Sequence, residues 1–147
     1  MPEKNTIQRA RRDAREGKSP STQAGEFVRD VIHHIRQGKH GARSTKQAIA
    51  IGLSEARRAG VDLPPPAKGR TSAKVRHQAE RDRAKARAGR HASPQRARAS
   101  LKALRSEGQA AASPTALSRQ ATRAARRRGP QARSRAAQKA ARTRQRA

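Results

Sequence analysis

The sequence has no cysteine, tryptophan or tyrosine, a single phenylalanine, and only ten acidic residues in 147. The absence of cysteine excludes disulfide staples and thiolate metal sites. With Phe27 as its one large aromatic, the chain lacks the platforms on which single-strand binders and base-reading RNA modules stack bases. Leu, Ile, Val and Phe together number 15, too few for a core spanning the whole chain, and combined with high charge they mark a disorder-prone composition. The longest aliphatic-rich run, residues 47–54, falls far short of the roughly 20 residues of a membrane helix, so no membrane partner is expected. The first ten residues have no apolar stretch of a secretory signal, and Glu3, Asp13 and Glu16 are unlike an organelle transit peptide. A cytoplasmic location is expected.

What the chain has is positive charge: 37 Lys plus Arg give a formal net charge of +27. The charge is unevenly placed. Residues 1–63 carry 13 basic and 7 acidic residues, whereas residues 64–147 carry 24 basic and 3 acidic ones. The large apolar residues lie mostly on the opposite side of that division, since only Val75, Leu101, Leu104 and Leu117 follow it. Any core is therefore N-terminal, and Pro64, Pro65 and Pro66 read as a semi-rigid extended spacer between the halves.

The N-terminal half reads as a small helical module. Residues 6–16 suggest a short polar helix that contributes little packing. Ser21 or Thr22 can cap a second helix whose apolar positions, Ala24, Phe27, Val28, Val31, Ile32 and Ile35, follow the three-and-one steps of one helix face, with Gly38 just past its end. Ser44 with Gln47 forms a capping box for a third helix, running to about Ala59 with Gly60 in a left-handed C-terminal position. Ile49, Ile51 and Leu53 alternate at the period of a strand, but the cap and the Ala-rich continuation favour helix. A helical hairpin over residues 21–63 is marginal by itself at this size, so pairing with a second copy is expected, with Phe27, Val28, Val31, Ile32, Ile35, Ile49 and Leu53 as the packing or dimer face.

After a linker at 64–70, residues 71–147 are of low complexity, dominated by Ala, Arg, Ser and Gln. Ala and Arg are good helix formers, so this arm is expected to be largely disordered or to form isolated helices. Candidate helices begin at Thr71 or Ser72, at Ser93-Pro94 and at Ser113-Pro114, with Pro at the first helical position in the last two, and end at Gly89, Gly108 and Gly129. The last two segments suggest a degenerate repeat of about 20 residues, which biased composition explains equally well. The fold class is thus all-α: a hairpin module with a basic arm.

The arm's charge points to a polyanion. Of the 37 basic residues 28 are Arg, whose planar fork binds phosphate bidentately where Lys offers a point charge. Arg119, Arg123, Arg126, Arg127 and Arg128 form the densest cluster, followed by Arg133, Arg135, Arg142, Arg144 and Arg146, and these are the candidate phosphate contacts. No nucleophile elbow, phosphate-cradling loop or acid–base pair is present, so no enzyme, cofactor or small-molecule substrate is expected. His33, His34 and His40, with Asp30 one turn before the pair, are better read as solvated or phosphate-contacting groups than as a metal site. A helix-turn-helix is the sharper competitor, with Thr45, Lys46 and Gln47 as base-contacting residues at the start of a recognition helix, although the connection is longer than the usual 3 to 4 residues.

Ser93-Pro94-Gln95-Arg96, in its Ala/Arg background, resembles the Ser-Pro-basic elements of linker-histone tails. Residues 38–60, GKHGARSTKQAIAIGLSEARRAG, resemble the shared box of a family of small, basic bacterial proteins of unknown function, and residues 19–27, SPSTQAGEF, are similar to a stretch of its longer members. The resemblance implies a bacterial cytosolic protein and a helical unit, and it carries no activity. The resulting expectation is non-enzymatic, largely sequence-independent binding of duplex DNA through phosphates, histone-like and nucleoid-associated. The alternatives are an RNA- or ribosome-associated protein, and a protein-interaction adaptor working through residues 21–63.

Overall fold

A computed structural model describes residues 2–90 and 93–145. The described residues form six α-helices and a short 3-10 turn in the order α1 (Lys4–Arg15), α2 (Pro20–Arg36), α3 (Thr45–Arg58), α4 (Ala73–Arg87), α5 (Pro94–Arg105), the 3-10 turn (Ala110–Ala112) and α6 (Pro114–Gln145). No strand occurs among the described residues, so the all-α expectation holds. The chain forms two compact units, Met1–Ala112 and Ser113–Ala147.

In the first unit α2 carries the apolar stripe. Ala24, Phe27, Val31 and Ile35 are completely or almost completely buried, and Ile32 is buried beside them. The helix starts two residues earlier than the predicted Ser21 or Thr22 cap, at Ser19 with Pro20 in its first turn. Proline's fixed φ suits that position, where its missing N–H costs nothing. Gly38, at φ +71°, ends the helix as expected, and the Lys39 N–H donates to the His34 carbonyl at 3.0 Å.

α3 is helical, and its cap explains why. Ser44 Oγ accepts from the Gln47 N–H at 3.2 Å, while Gln47 Oε1 accepts from the Arg43 N–H at 2.6 Å. The return bond of this capping box thus goes one residue further out than the simple pattern. The strand-like alternation has a packing origin: Ala48, Gly52 and Ala56, four apart, form the buried seam, and Ile49, Leu53 and Ile51 flank it half-buried. A Cβ on Gly52 would stand 2.6 Å from Val28 Cα, so glycine is what lets α2 and α3 approach backbone to backbone. Past the helix, Gly60 takes φ +96° and the Val61 N–H donates to the Ala56 carbonyl at 3.0 Å, folding Val61 into the core.

α1 is more than the lightly packed polar helix the sequence suggested. Ala10 belongs to the core with Ala24, Phe27, Ala56 and Val61, and Ile7 packs against it. Its buried polar groups are satisfied: Thr6 Oγ1 accepts from Arg9 Nη2 at 3.1 Å and Asp13 Oδ1 from Lys18 Nζ at 2.8 Å. That bond, with a second to Glu16, raises the pKa of Lys18. Arg9 Nε reaches Glu26 Oε2 on α2 at 2.6 Å. Arginine's alternation with short apolar residues hid this face from the reading of periodicity.

The largest correction concerns the arm, which is neither disordered nor made only of isolated helices. α4, capped by Ser72, packs on α3 with Ala79 buried, and its buried Asp82 accepts from Ser54 Oγ at 2.5 Å and from Gln78 Nε2 at 3.0 Å. Arg83 and Arg87 of the same helix bind Asp62. α5 ends at Arg105, short of the predicted Gly108, because the chain is then drawn into the α2–α3 connection. The Gly41 N–H donates to the Leu104 carbonyl at 2.8 Å, the Ala42 N–H to the Gly108 carbonyl at 3.1 Å, and Thr45 Oγ1 to the Ala111 carbonyl at 2.7 Å. Arg36 Nε holds the Ala112 carbonyl at 2.9 Å, and Ala112 is completely buried. Residues 104–112 are therefore a strap of the folded unit, and a Cβ on Gly41 would overlap the Glu107 carbonyl.

Candidate nucleic-acid interface

α6 is built from Ala and Arg on a good N-terminus. Pro114 opens the helix and Ser113 Oγ accepts from the Ala116 N–H at 3.2 Å. The helix is broken where the sequence placed an end: Gly129 has φ 76° and ψ 169°, and Pro130 restarts the following segment. The predicted repeat is matched only in part: both segments begin at Ser-Pro and the second is interrupted at Gly129, but the first helix stops at Arg105, short of Gly108.

Each side of that break carries its cations in facial groups. Arg119, Arg123, Arg126 and Arg127 are spaced four, three and one, which puts them on one face, with Arg128 opposite. Beyond the break Arg135, Lys139 and Arg142 share a face and Arg133 and Arg144 another. All ten of these side chains are exposed. Residues 113–147 contain no Asp or Glu, so no cation of α6 has a carboxylate from its own unit to neutralise it. Arg144 Nε makes a 3.5 Å contact with the Ala140 carbonyl of its own helix. The tenth predicted arginine, Arg146, lies outside the described residues.

The first unit treats its charges differently. Arg57 is buried, and it donates from Nε to the Leu63 carbonyl at 3.3 Å and from Nη2 to the Pro64 carbonyl at 3.1 Å, which ties down the start of the proline run. Burial lowers its pKa. It lines a cavity of about 150 Å³ with Gly60, Val61, Asp62, Arg83, Ala86 and Arg87. Asp62 already accepts from Arg83 Nε at 2.8 Å and from Arg87 Nη2 at 3.2 Å, and the Arg83 bond is the main reason its carboxyl titrates below the usual range.

The residues of the helix-turn-helix alternative are drawn into the fold. Thr45 is buried with its hydroxyl on Ala111, Gln47 serves the α3 cap, and Lys46 alone of the three is exposed without such a bond. The proposed packing face is covered within the chain: α1 and α3 lie against α2, and the strap closes over the α2–α3 connection. Val28, Ile49 and Leu53 remain partly exposed.

Among known proteins, residues 4–68 match a family of unknown function (DUF6496). The match takes in α1, α2, α3 and the proline run and stops before α4. No curated protein and no solved structure matches the chain. No described helix is long and apolar enough to cross a membrane.

Proposed function

We propose that the protein binds duplex DNA through its phosphates, without enzymatic activity and largely without sequence preference, as a histone-like, nucleoid-associated protein of a bacterial cytoplasm. The observation that carries this reading is the bare cationic helix: ten exposed basic side chains on α6 and no acidic residue anywhere in residues 113–147. A solubilising surface needs a net charge of only about 2 to 8 in a small domain, whereas this segment holds 11 Lys and Arg in 35 residues.

Phosphates suit these groups for two reasons. Arginine offers a rigid fork to two phosphate oxygens, and each neutralised phosphate releases condensed counterions. The duplex carries one charge per roughly 1.7 Å of axis, against ten cations on the 32 residues of α6, roughly one per 5 Å of helical rise within its two segments. The helix therefore underneutralises the strand beside it, and several chains can line one duplex. The break at Gly129 supports the same reading, because two short helical segments follow a curved backbone more easily than one rigid rod.

Replacing Arg119, Arg123, Arg126 and Arg127 together by Gln tests the assignment on the full chain. Helical content is expected to persist, since Gln is nearly as good a helix former as Arg, while duplex affinity at low salt drops steeply. Unchanged duplex affinity would remove α6 from the interface. Stronger retention by a structured RNA than by a duplex DNA of matched length would replace DNA by RNA as the partner.

A further inference from the structure

The sequence offers Asp30 and three nearby histidines, but the fold selects a different set. His33 is exposed and bonded to Gln37 at 2.7 Å, whereas His34, one helical turn after Asp30, is drawn to the start of α1. There Glu3 Oε1 lies 3.0 Å from His34 Nε2, and Asp30 Oδ1 lies 3.4 Å from the same nitrogen. All three side-chain ligand atoms fall within 4.8 Å of one another. The Glu3 N–H also donates to Asp30 Oδ2 at 3.3 Å, which fixes the two carboxylates relative to each other.

This convergence is hard to satisfy with protons alone. An imidazole nitrogen carries at most one hydrogen, yet two carboxylates, Glu3 just ahead of α1 and Asp30 on α2, lie within 3.4 Å of Nε2. Asp30 is only 5% exposed, and a buried carboxylate needs strong partners. A cation with bonds of about 2.0–2.1 Å to nitrogen and oxygen holds tetrahedral ligands roughly 3.3–3.4 Å apart, which matches the 3.4 Å between His34 and Asp30. Glu3, now at a hydrogen-bond distance of 3.0 Å, needs to move out by a few tenths of an ångström. Lys39 Nζ, 2.9 Å from Glu3 Oε1, supplies positive charge at the same place, and its side chain is half exposed and free to swing away.

We propose that Glu3, Asp30 and His34 form a binding site for a divalent transition metal of the zinc type. The mixed imidazole and carboxylate set suits Zn²⁺ or Co²⁺ better than Mg²⁺ or Ca²⁺, which take oxygen ligands. The metal takes the place of the proton on Nε2, three protein groups hold it, and water fills the remaining position. It pins the beginning of α1 to the middle of α2. The site is independent of α6 and of the reading of its charge.

The test is equilibrium dialysis of the untagged full-length protein against Zn²⁺ at neutral pH, with Co²⁺ absorption as a second readout. The expected result is one metal per chain, an intense Co²⁺ visible band of low coordination number, and a thermal midpoint raised by Zn²⁺. Glu3→Gln, at an exposed position that leaves the core intact, is expected to weaken binding by at least roughly tenfold, since even outer partners of a metal site are worth about 10- to 100-fold. Lys39→Met is expected to tighten it, and His33→Gln to leave it unchanged. Equal metal uptake by the wild-type and Glu3→Gln proteins, or a Co²⁺ spectrum that stays that of the hydrated ion, would overturn the proposal.

Discussion

The two units of this protein spend the same residue type in opposite ways. Met1–Ala112 holds 26 Lys and Arg against all ten acidic residues, and Ser113–Ala147 holds 11 against none. In the first unit the acids organise the bases: Glu26 takes Arg9 and Arg29, Asp62 takes Arg83 and Arg87, and Asp82, satisfied by Ser54 and Gln78, fixes α4 to α3. Arg36 and Arg57 are spent on backbone carbonyls. In the second unit no Asp or Glu side chain competes for the guanidinium groups. A basic composition therefore does not define one behaviour. Ten well-placed carboxylates and a small apolar stripe turn one stretch into a folded body, and their absence leaves the other a charged helix.

Four changes probe that contrast. The largest effect is expected from ending the chain after Ala112. The shortened protein should keep the melting transition of α1 to α4, while its retention on duplex DNA at low salt falls on the order of a thousandfold, because electrostatic contacts supply nearly all non-specific binding; gel-shift titration beside circular-dichroism melting reads both. Next is Gly52→Val, which forces a side chain into Val28. Overlap of this kind typically costs about 1–3 kcal/mol, so denaturant unfolding should show a loss of that order with duplex affinity little changed.

Thr45→Val comes third. It removes the bond to the Ala111 carbonyl, a loss of about 1–3 kcal/mol when the partner stays buried, and hydrogen exchange at the Gly41 and Ala42 amides should accelerate as the strap loosens. The smallest effect is expected from Asp62→Asn. The folded-state pKa of Asp62 lies below its usual 3.8, chiefly through the Arg83 bond. The stability it supplies is complete above that value and fades as the pH falls through the lowered pKa. The Asn variant should lose less stability than the wild type over that acid range, as followed by melting at stepped pH.

Local signals in the sequence were strong where one element decides its own fate. The stripe on α2, the Ser44 cap, Gly60 with Val61, and the Ser-Pro starts of α5 and α6 were all legible, because capping and helix periodicity act within a few residues. Contacts made at a distance were not. Nothing near Glu107 or Ala111 announces that their carbonyls meet the Gly41–Thr45 turn, since the recognition is backbone to backbone and the side chains are small. Gly41 was legible only as a loop glycine, and its close approach to Glu107 appears only in three dimensions. Ala79 and Asp82 looked like parts of a solvated arm because a single buried alanine and a single aspartate in an otherwise polar helix carry no apolar period. The exposed arginines of α6 were legible because charge without counter-charge is a property of composition.

The most direct test of the central claim is the salt dependence of duplex binding by the full-length protein. With the ten described cations of α6 engaged, the logarithm of the association constant should fall against the logarithm of salt concentration with a slope of about −9, and the slope should shrink by about 0.9 for each of these cations replaced. Binding that holds constant from dilute to concentrated salt, or a slope indifferent to the loss of Arg119, Arg123, Arg126 and Arg127, would contradict the account.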